Sequence, residues 1–172
     1  ELKEHEAILR EGLGLFQQLF GFCPKSFVAP NGILHPNLET CLTSLGVKQI
    51  QAAFLSFIPL GGGKYRKRLR YQGQRSGSGI CYTIRNCLFE PSTKPSVDWV
   101  GRCLSQIQTA FSCRKPAIIS MHRLNVIGFI DEDNRDRNLS LLRLLLESIV
   151  RRWPDVEFVT SDRLGAMMRS TI

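Results

Sequence analysis

Apolar residues recur along this chain in two patterns, one typical of amphipathic helices and one typical of short buried strands. Helical spacing is found over residues 2–19, 37–45, 96–111 and 135–152. Short apolar runs bounded by turn residues indicate strands at 26–29, 47–52, 117–121 and 156–160. Helices that alternate with strands across short links are typical of a parallel sheet, so the pattern predicts an α/β fold.

One segment, at about residues 53–90, interrupts this alternation. Lys64–Tyr71 and Ile80–Phe89 have strand character, and the glycine-rich stretch Gly73–Gly79 between them is suited to a long turn. We therefore predict a β-hairpin, formed by these two stretches, that is inserted in the α/β pattern.

Polar residues follow two of the predicted strands directly. The strand at 117–121 ends on His122, with Arg123 and Asn125 just beyond, and the strand at 26–29 is followed by Asn31. Residues past the carboxyl ends of parallel strands form the functional rim of α/β folds. His122 is therefore a candidate catalytic residue, and the other three are candidate substrate ligands. The simpler alternatives are a buried, hydrogen-bonded histidine and, for Asn31, a plain turn.

Composition indicates a globular protein with a packed core, because 43% of the 172 residues are hydrophobic and 22% are charged. This length suits one domain or a piece of a larger one. No stretch is long and apolar enough to predict a membrane span. The first residues carry no signal-peptide pattern, and no cysteine pair forms C-x-x-C, so we expect a reducing, cytoplasmic compartment. A preceding N-terminal part is also expected, because the chain starts at Glu1 inside a predicted helix.

The formal net charge is +8, which permits an anionic partner. Much of the excess lies in one basic cluster of residues: Lys64, Arg66, Lys67, Arg68, Arg70 and Arg75. A solvated loop or edge strand explains such a cluster as well as a binding surface does. Only two tyrosines interleave with it, which is too few for base stacking, so nucleic acid is not the favoured partner.

The order of several motifs resembles the C-terminal half of the polysaccharide deacetylases, in particular bacterial proteins described as polysaccharide (de)acetylases. The motifs are Ser-Phe-Val-Ala-Pro-Asn-Gly at 26–32, Val-Asp-Trp at 97–99, Ile-Ile-Ser-Met-His at 118–122 and Val-Glu-Phe-Val-Thr at 156–160. The resemblance covers nearly the whole chain. It implies a partial, distorted (β/α) barrel with its site at the carboxyl ends of the strands.

The resemblance also implies roles for individual residues. Met121-His122 is similar to the family motif whose histidine is the general acid that protonates the leaving amine. Asp98-Trp99 is similar to an Asp-Trp motif that orients the acid and lines the acetyl pocket. The implied substrate is an acetylated saccharide.

Two departures from the family pattern limit this expectation. The arginine of the family's Arg-Pro-Pro-Tyr-Gly motif is replaced by Val28, and the Asp-Asp strand and His-x-x-x-His helix that bind the metal have no counterpart. We expect a divalent metal such as zinc in the full-length protein only, with none bound by this chain alone. The alternatives are a catalytically degenerate glycan-binding or scaffold protein and, less favoured, a basic nucleic-acid-binding domain.

Overall fold

The structure is a computed structural model that describes residues 1–170, and it is a mixed α/β structure. The chain divides into two compact units, one formed by Glu1–Ile84 with the segment that starts at Val159, and one formed by Arg85–Phe158. Within the described residues, no helix is long and apolar enough to cross a membrane.

The first unit contains a three-stranded parallel sheet. Its strands and helices are α1 (Leu2–Phe20), β1 (Ser26–Val28), α2 (Leu38–Ser44), β2 (Gln49–Ala52), β3 (Leu55–Gly61), β4 (Lys64–Leu69), β5 (Cys81–Ile84) and α5 (Ser161–Ser170). The sheet order is β1-β2-β5, with both pairings parallel. The predicted strand–helix–strand unit across residues 26–52 is thereby confirmed. Leu42, Val47, Ile50 and Ile80 form its core.

The predicted hairpin pairing is wrong. β4 pairs antiparallel with β3, through a turn at Gly61–Gly63 in which all three glycines have positive φ. The stretch predicted as its partner instead supplies β5, which joins the parallel sheet. All four residues of β5 are buried, as expected for a strand covered on both faces, and a charged ribbon such as β4 cannot provide that burial.

The second unit contains a short parallel strand pair and two long helices. Its strands and helices are β6 (Cys87–Leu88), α3 (Trp99–Ser112), β7 (Ile119–Ser120) and α4 (Glu132–Arg152). β6 and β7 are parallel neighbours. The core brings together Phe89, Cys103, Ile107, Leu145 and Ile149.

Several predicted element ends are shifted in this unit. α3 begins at Trp99 with Asp98 as its N-cap, whereas the apolar spacing predicted a helix from residue 96. α4 begins at Glu132, three residues before the start that the apolar spacing predicted, with Asp131 as its N-cap and acids in its first turn that suit the helix dipole. The predicted strand at residues 156–160 is wrong: these residues form no strand, and the Val156 N–H donates to the Trp153 carbonyl in a turn.

The described sheets contain three, two and two strands and do not close a barrel. The mixed α/β class is what the structure shows. A partial deacetylase-type barrel stays a prediction.

Candidate functional site

Two polar side chains meet where β6 and β7 end. The strands are paired in register, Cys87 with Ile119 and Leu88 with Ser120, and the Phe89 N–H continues the ladder by donating to the Ser120 carbonyl at 3.0 Å. Because the strands are parallel, both carboxyl ends lie at one edge. Glu90 and His122 lie at that edge, each two residues past the last residue of its strand.

Glu90 holds His122 through both its backbone and its ring. One carboxylate oxygen, Oε1, accepts from the His122 backbone N–H at 3.0 Å and lies 2.7 Å from Nδ1. The side chain of Glu90 is 8% exposed, whereas that of His122 is 73% exposed. A buried carboxylate thus fixes a solvent-facing imidazole. Among residues 1–170 the other ring nitrogen, Nε2, has no hydrogen-bond partner.

This arrangement is suited to proton transfer. A carboxylate on Nδ1 selects the tautomer with hydrogen on Nδ1 and fixes the ring plane, so that Nε2 is the working atom. In the neutral ring Nε2 accepts a proton, and in the imidazolium it donates one. The buried carboxylate stabilises the imidazolium electrostatically.

Asn125 hydrogen-bonds to both Glu90 and His122 and is 1% exposed. Its Nδ2 donates to Glu90 Oε2 at 2.7 Å and to the His122 carbonyl at 2.9 Å. Its Oδ1 accepts from the Ser92 N–H at 2.9 Å. Both oxygens of Glu90 are therefore satisfied, and the buried charge is held by hydrogen bonds as burial requires.

The start of α4 anchors Asn125. Asn138 is fully buried, and its Nδ2 donates to the Asn125 carbonyl at 2.9 Å and to Ser92 Oγ at 2.8 Å. Ser92 Oγ in turn donates to Asn134 Oδ1 at 3.0 Å. This polar network ties the loops after β6 and β7 to one helix, so the orientation of Glu90 and His122 depends on α4.

The predicted site residues fall into two groups. The structure brings His122 and Asn125 together, although the burial of Asn125 gives it a positioning role and leaves it little surface for a substrate. Arg123 is exposed beside His122, and its side chain has no hydrogen bond or ion pair within residues 1–170, so its guanidinium is available to a ligand.

The other predicted residues have structural contacts instead. Asp98 Oδ1 accepts from the Gly101 N–H at 2.8 Å as the N-cap of α3. Trp99 is 5% exposed, and its indole N–H donates to the Lys94 carbonyl at 2.9 Å. Neither hydrogen-bonds to Glu90 or His122. Asn31 lies in the first unit, in a left-handed conformation with φ of 53°.

Glu90, Ser92 and Asn138 belong to this network and are not predicted as site residues by the sequence patterns. A signal for Glu90 was present, since it follows the apolar run Cys87-Leu88-Phe89 as His122 follows its own strand. The predicted hairpin includes this run, so it places Glu90 at a hairpin end and not at the carboxyl end of a parallel strand. Asn138 carried no signal, because an asparagine inside a helix pattern is read as a surface residue.

The residues described here do not make up a metal site. Within residues 1–170, no group of three or more His, Cys, Asp or Glu side chains lies close enough to hold a metal ion. His122 has one carboxylate next to it, which is fewer than the three protein ligands of a catalytic zinc.

Comparison of the chain with protein-family models, with curated proteins and with solved structures finds no match. The resemblance to polysaccharide deacetylases therefore rests on the sequence motifs given above.

Proposed function

We propose that this chain is part of a hydrolase that removes acetyl groups from saccharides, and that His122 is its general acid. The observation that carries the proposal is the Glu90–His122 contact, with a buried carboxylate on Nδ1 and an exposed imidazole. The acetylated-sugar substrate comes from the motif resemblance.

The reaction assigned to His122 is protonation of the leaving group. Water adds to the acetyl carbon and the bond from that carbon to the sugar nitrogen breaks, which gives acetate and a free amine. His122 Nε2–H passes its proton to the nitrogen as the bond breaks, and Glu90 stabilises the imidazolium beforehand. The base that accepts the proton of the water is expected in the Asp-Asp motif of the preceding N-terminal part. The divalent metal is expected to be bound in that part as well.

Residues next to His122 provide a mixed surface for a sugar. Arg123 offers guanidinium donors to hydroxyl groups. Leu124 is 61% exposed, Phe129 96% and Ile130 89%, so apolar side chains follow the proton donor closely along the chain. Such side chains suit the apolar face of a sugar ring.

The test is acetate release from acetylated sugar oligomers by the full-length protein supplied with zinc. We expect His122→Ala to lower the rate by about 10²- to 10⁴-fold, the usual contribution of a positioned general acid. His5→Ala is the matched control, because His5 is an exposed helix residue whose side chain has no described hydrogen bond, and it should leave the rate unchanged. A wild-type rate in His122→Ala would contradict the assignment.

A glycan-binding protein without catalysis is the second candidate. The observation that favours it is Val28, an apolar residue that is 47% exposed at the place of the family's arginine. Oligomer binding without acetate release, unaffected by His122→Ala, is the result that this candidate predicts.

A further inference from the structure

Positive charge is concentrated in one part of the chain. Residues 40–89 contain eight Lys or Arg residues and no Asp or Glu, while the whole chain has a net charge of +8. The remainder of the chain therefore has fifteen cations and fifteen acids and is neutral overall. A field of one sign over a limited surface attracts anionic partners.

Half of these eight cations lie on β4. Each of the six β4 residues is exposed, and among residues 1–170 the strand pairs only with β3, which leaves its second edge open to them. Within the part of the chain that the structure describes, no carboxylate forms an ion pair with Lys64, Arg66, Lys67 or Arg68. Their charges are uncompensated and available to a ligand.

The cations of β4 are ordered by the pleat. Lys64, Arg66 and Arg68 alternate with Tyr65, Lys67 and Leu69, so the first three share one face, about 6.8 Å apart along the strand. We call this set of three the basic ribbon. Tyr65 and Leu69 belong to the opposite face.

We propose that the basic ribbon binds an acidic polysaccharide, an extended chain with carboxylate or sulfate groups. Guanidinium groups pair with such anions through two parallel hydrogen bonds, and a row of them at regular spacing suits a linear polyanion. The choice of a saccharide rests on the function proposed above, whereas the charge argument stands without it.

Single-stranded nucleic acid is the less favoured polyanion. Its binding sites combine cations that follow the backbone with aromatic side chains on which bases stack. On β4 the tyrosine at 65 lies on the face opposite to the basic ribbon. One nucleic-acid strand therefore could not stack a base on Tyr65 and pair its phosphates with the basic ribbon on the same face. A ligand recognised by charge alone fits this separation.

The test compares two triple variants of the full chain by titration calorimetry across a series of salt concentrations. The ribbon variant is K64Q/R66Q/R68Q, and the control variant K3Q/R10Q/K25Q removes the same charge at exposed positions elsewhere. The probes are polygalacturonate, heparin and an oligothymidylate of matched charge. All of the substituted side chains are exposed, and thermal unfolding checks that each variant is folded. The single variant Arg66→Gln repeats the test with a smaller change.

We expect the ribbon variant to bind both polysaccharides roughly tenfold more weakly and with a shallower salt dependence, since fewer counter-ions are released. The control should lose less than about twofold. Equal losses in both variants would overturn the proposal in favour of diffuse net charge. Tighter ribbon-dependent binding of the oligothymidylate would overturn it in favour of nucleic acid.

The two proposals fail separately. Ribbon-dependent polysaccharide binding without acetate release contradicts the hydrolase and leaves the ribbon in place. Acetate release that depends on His122, together with oligothymidylate as the preferred ligand, supports the hydrolase and contradicts the polysaccharide-binding ribbon.

Discussion

Glu90 and His122 occupy equivalent register positions beyond two paired parallel strands. β6 and β7 pair residues that are 32 apart in sequence, as in Cys87 with Ile119, and the same separation joins the carboxylate to the imidazole. The contact is thus a continuation of the strand ladder. Its geometry is set by the backbone, which explains how a side chain that is 73% exposed is held in one orientation.

Replacing Glu90 by glutamine should disturb the tautomer of His122. Glu90 accepts from Asn125 Nδ2 on one oxygen and from the His122 backbone N–H on the other, whereas Gln has only one oxygen. If that oxygen faces Asn125, the new amide donates toward Nδ1, and hydrogen moves to Nε2. We expect the wild type to have hydrogen on Nδ1 and Glu90→Gln to show a raised share of the other tautomer.

Nitrogen–proton correlation spectra of histidine-labelled protein measure this share. Acetate release by the full-length variant should fall about 10²-fold or more, because the imidazolium that donates the proton from Nε2 loses the buried carboxylate that stabilises it. Glu132→Gln is the control, because Glu132 is exposed at the start of α4. An unchanged tautomer in Glu90→Gln would show that the carboxylate does not set it.

Removing the amide of Asn138 should destabilise the protein. Asn138→Ala takes away the donor to the Asn125 carbonyl in a fully buried place, and an unsatisfied buried acceptor costs about 1–3 kcal/mol. Urea unfolding measures the loss. Ser140→Ala on the exposed side of the same helix should change the free energy of unfolding by less than about 0.5 kcal/mol. Similar values for both variants would mean that the network contributes little.

The parts of this fold that depend on local signals could be predicted from the sequence. Apolar spacing and turn residues predicted the β1–α2–β2 unit, and the apolar run that ends at residue 121 placed His122 just past a strand. Each of these features is encoded within about ten neighbouring residues. The helix starting after Asp131 was predictable for the same reason, because its cap and first-turn acids are contiguous.

The parts that depend on distant partners could not. Apolar and polar residues alternate over 80–89 well enough to predict a hairpin strand. Only the burial of β5 on both faces distinguishes this strand as part of the parallel sheet. The sequence pattern therefore places Glu90 at a hairpin end. It does not predict the contact of Glu90 with His122, which is 32 residues away. The apolar run at 156–160 shows the opposite error, since a strand-like sequence forms no strand without a neighbour to pair with.

A buried ion pair in the first unit gives a sharp stability prediction. Arg70 is 4% exposed, its Nη2 lies 3.6 Å from Glu39 Oε1, and its guanidinium lies 3.8 Å from the centre of the Tyr82 ring. Burial lowers the pKa of Arg70 from its ordinary value. Arg70→Met should cost about 3–5 kcal/mol, because Glu39 is then left buried without a counter-ion.

Thermal or urea unfolding tests this cost. Arg68→Met removes the same group from an exposed position nearby and should cost less than about 0.5 kcal/mol. If Arg70→Met is as stable as Arg68→Met, Glu39 is neutralised in another way, and the ion pair does not stabilise the unit.

The buried thiols should make the protein sensitive to alkali. Burial raises the pKa of Cys87 from 9.0 to about 11 and that of Cys103 to about 12. Folding therefore favours the neutral thiols, and this contribution is complete below pH 9, where both states are protonated. Above pH 9 the unfolded chain ionises first, so the free energy of unfolding should fall, by at most about 1.4 kcal/mol per pH unit for each thiol.

Urea unfolding between pH 8 and pH 10.5 measures this fall, and Cys103→Ala should make it shallower because one of the two thiols is gone. Cys113→Ala is the control, since Cys113 is exposed and should leave the slope unchanged. Thiol counting gives an independent check. In the native protein at pH 8 a thiol reagent should modify Cys23 and Cys113, while the four buried cysteines react only after denaturation. Rapid modification of all six would show that the buried thiols open to solvent far more readily than their packing implies.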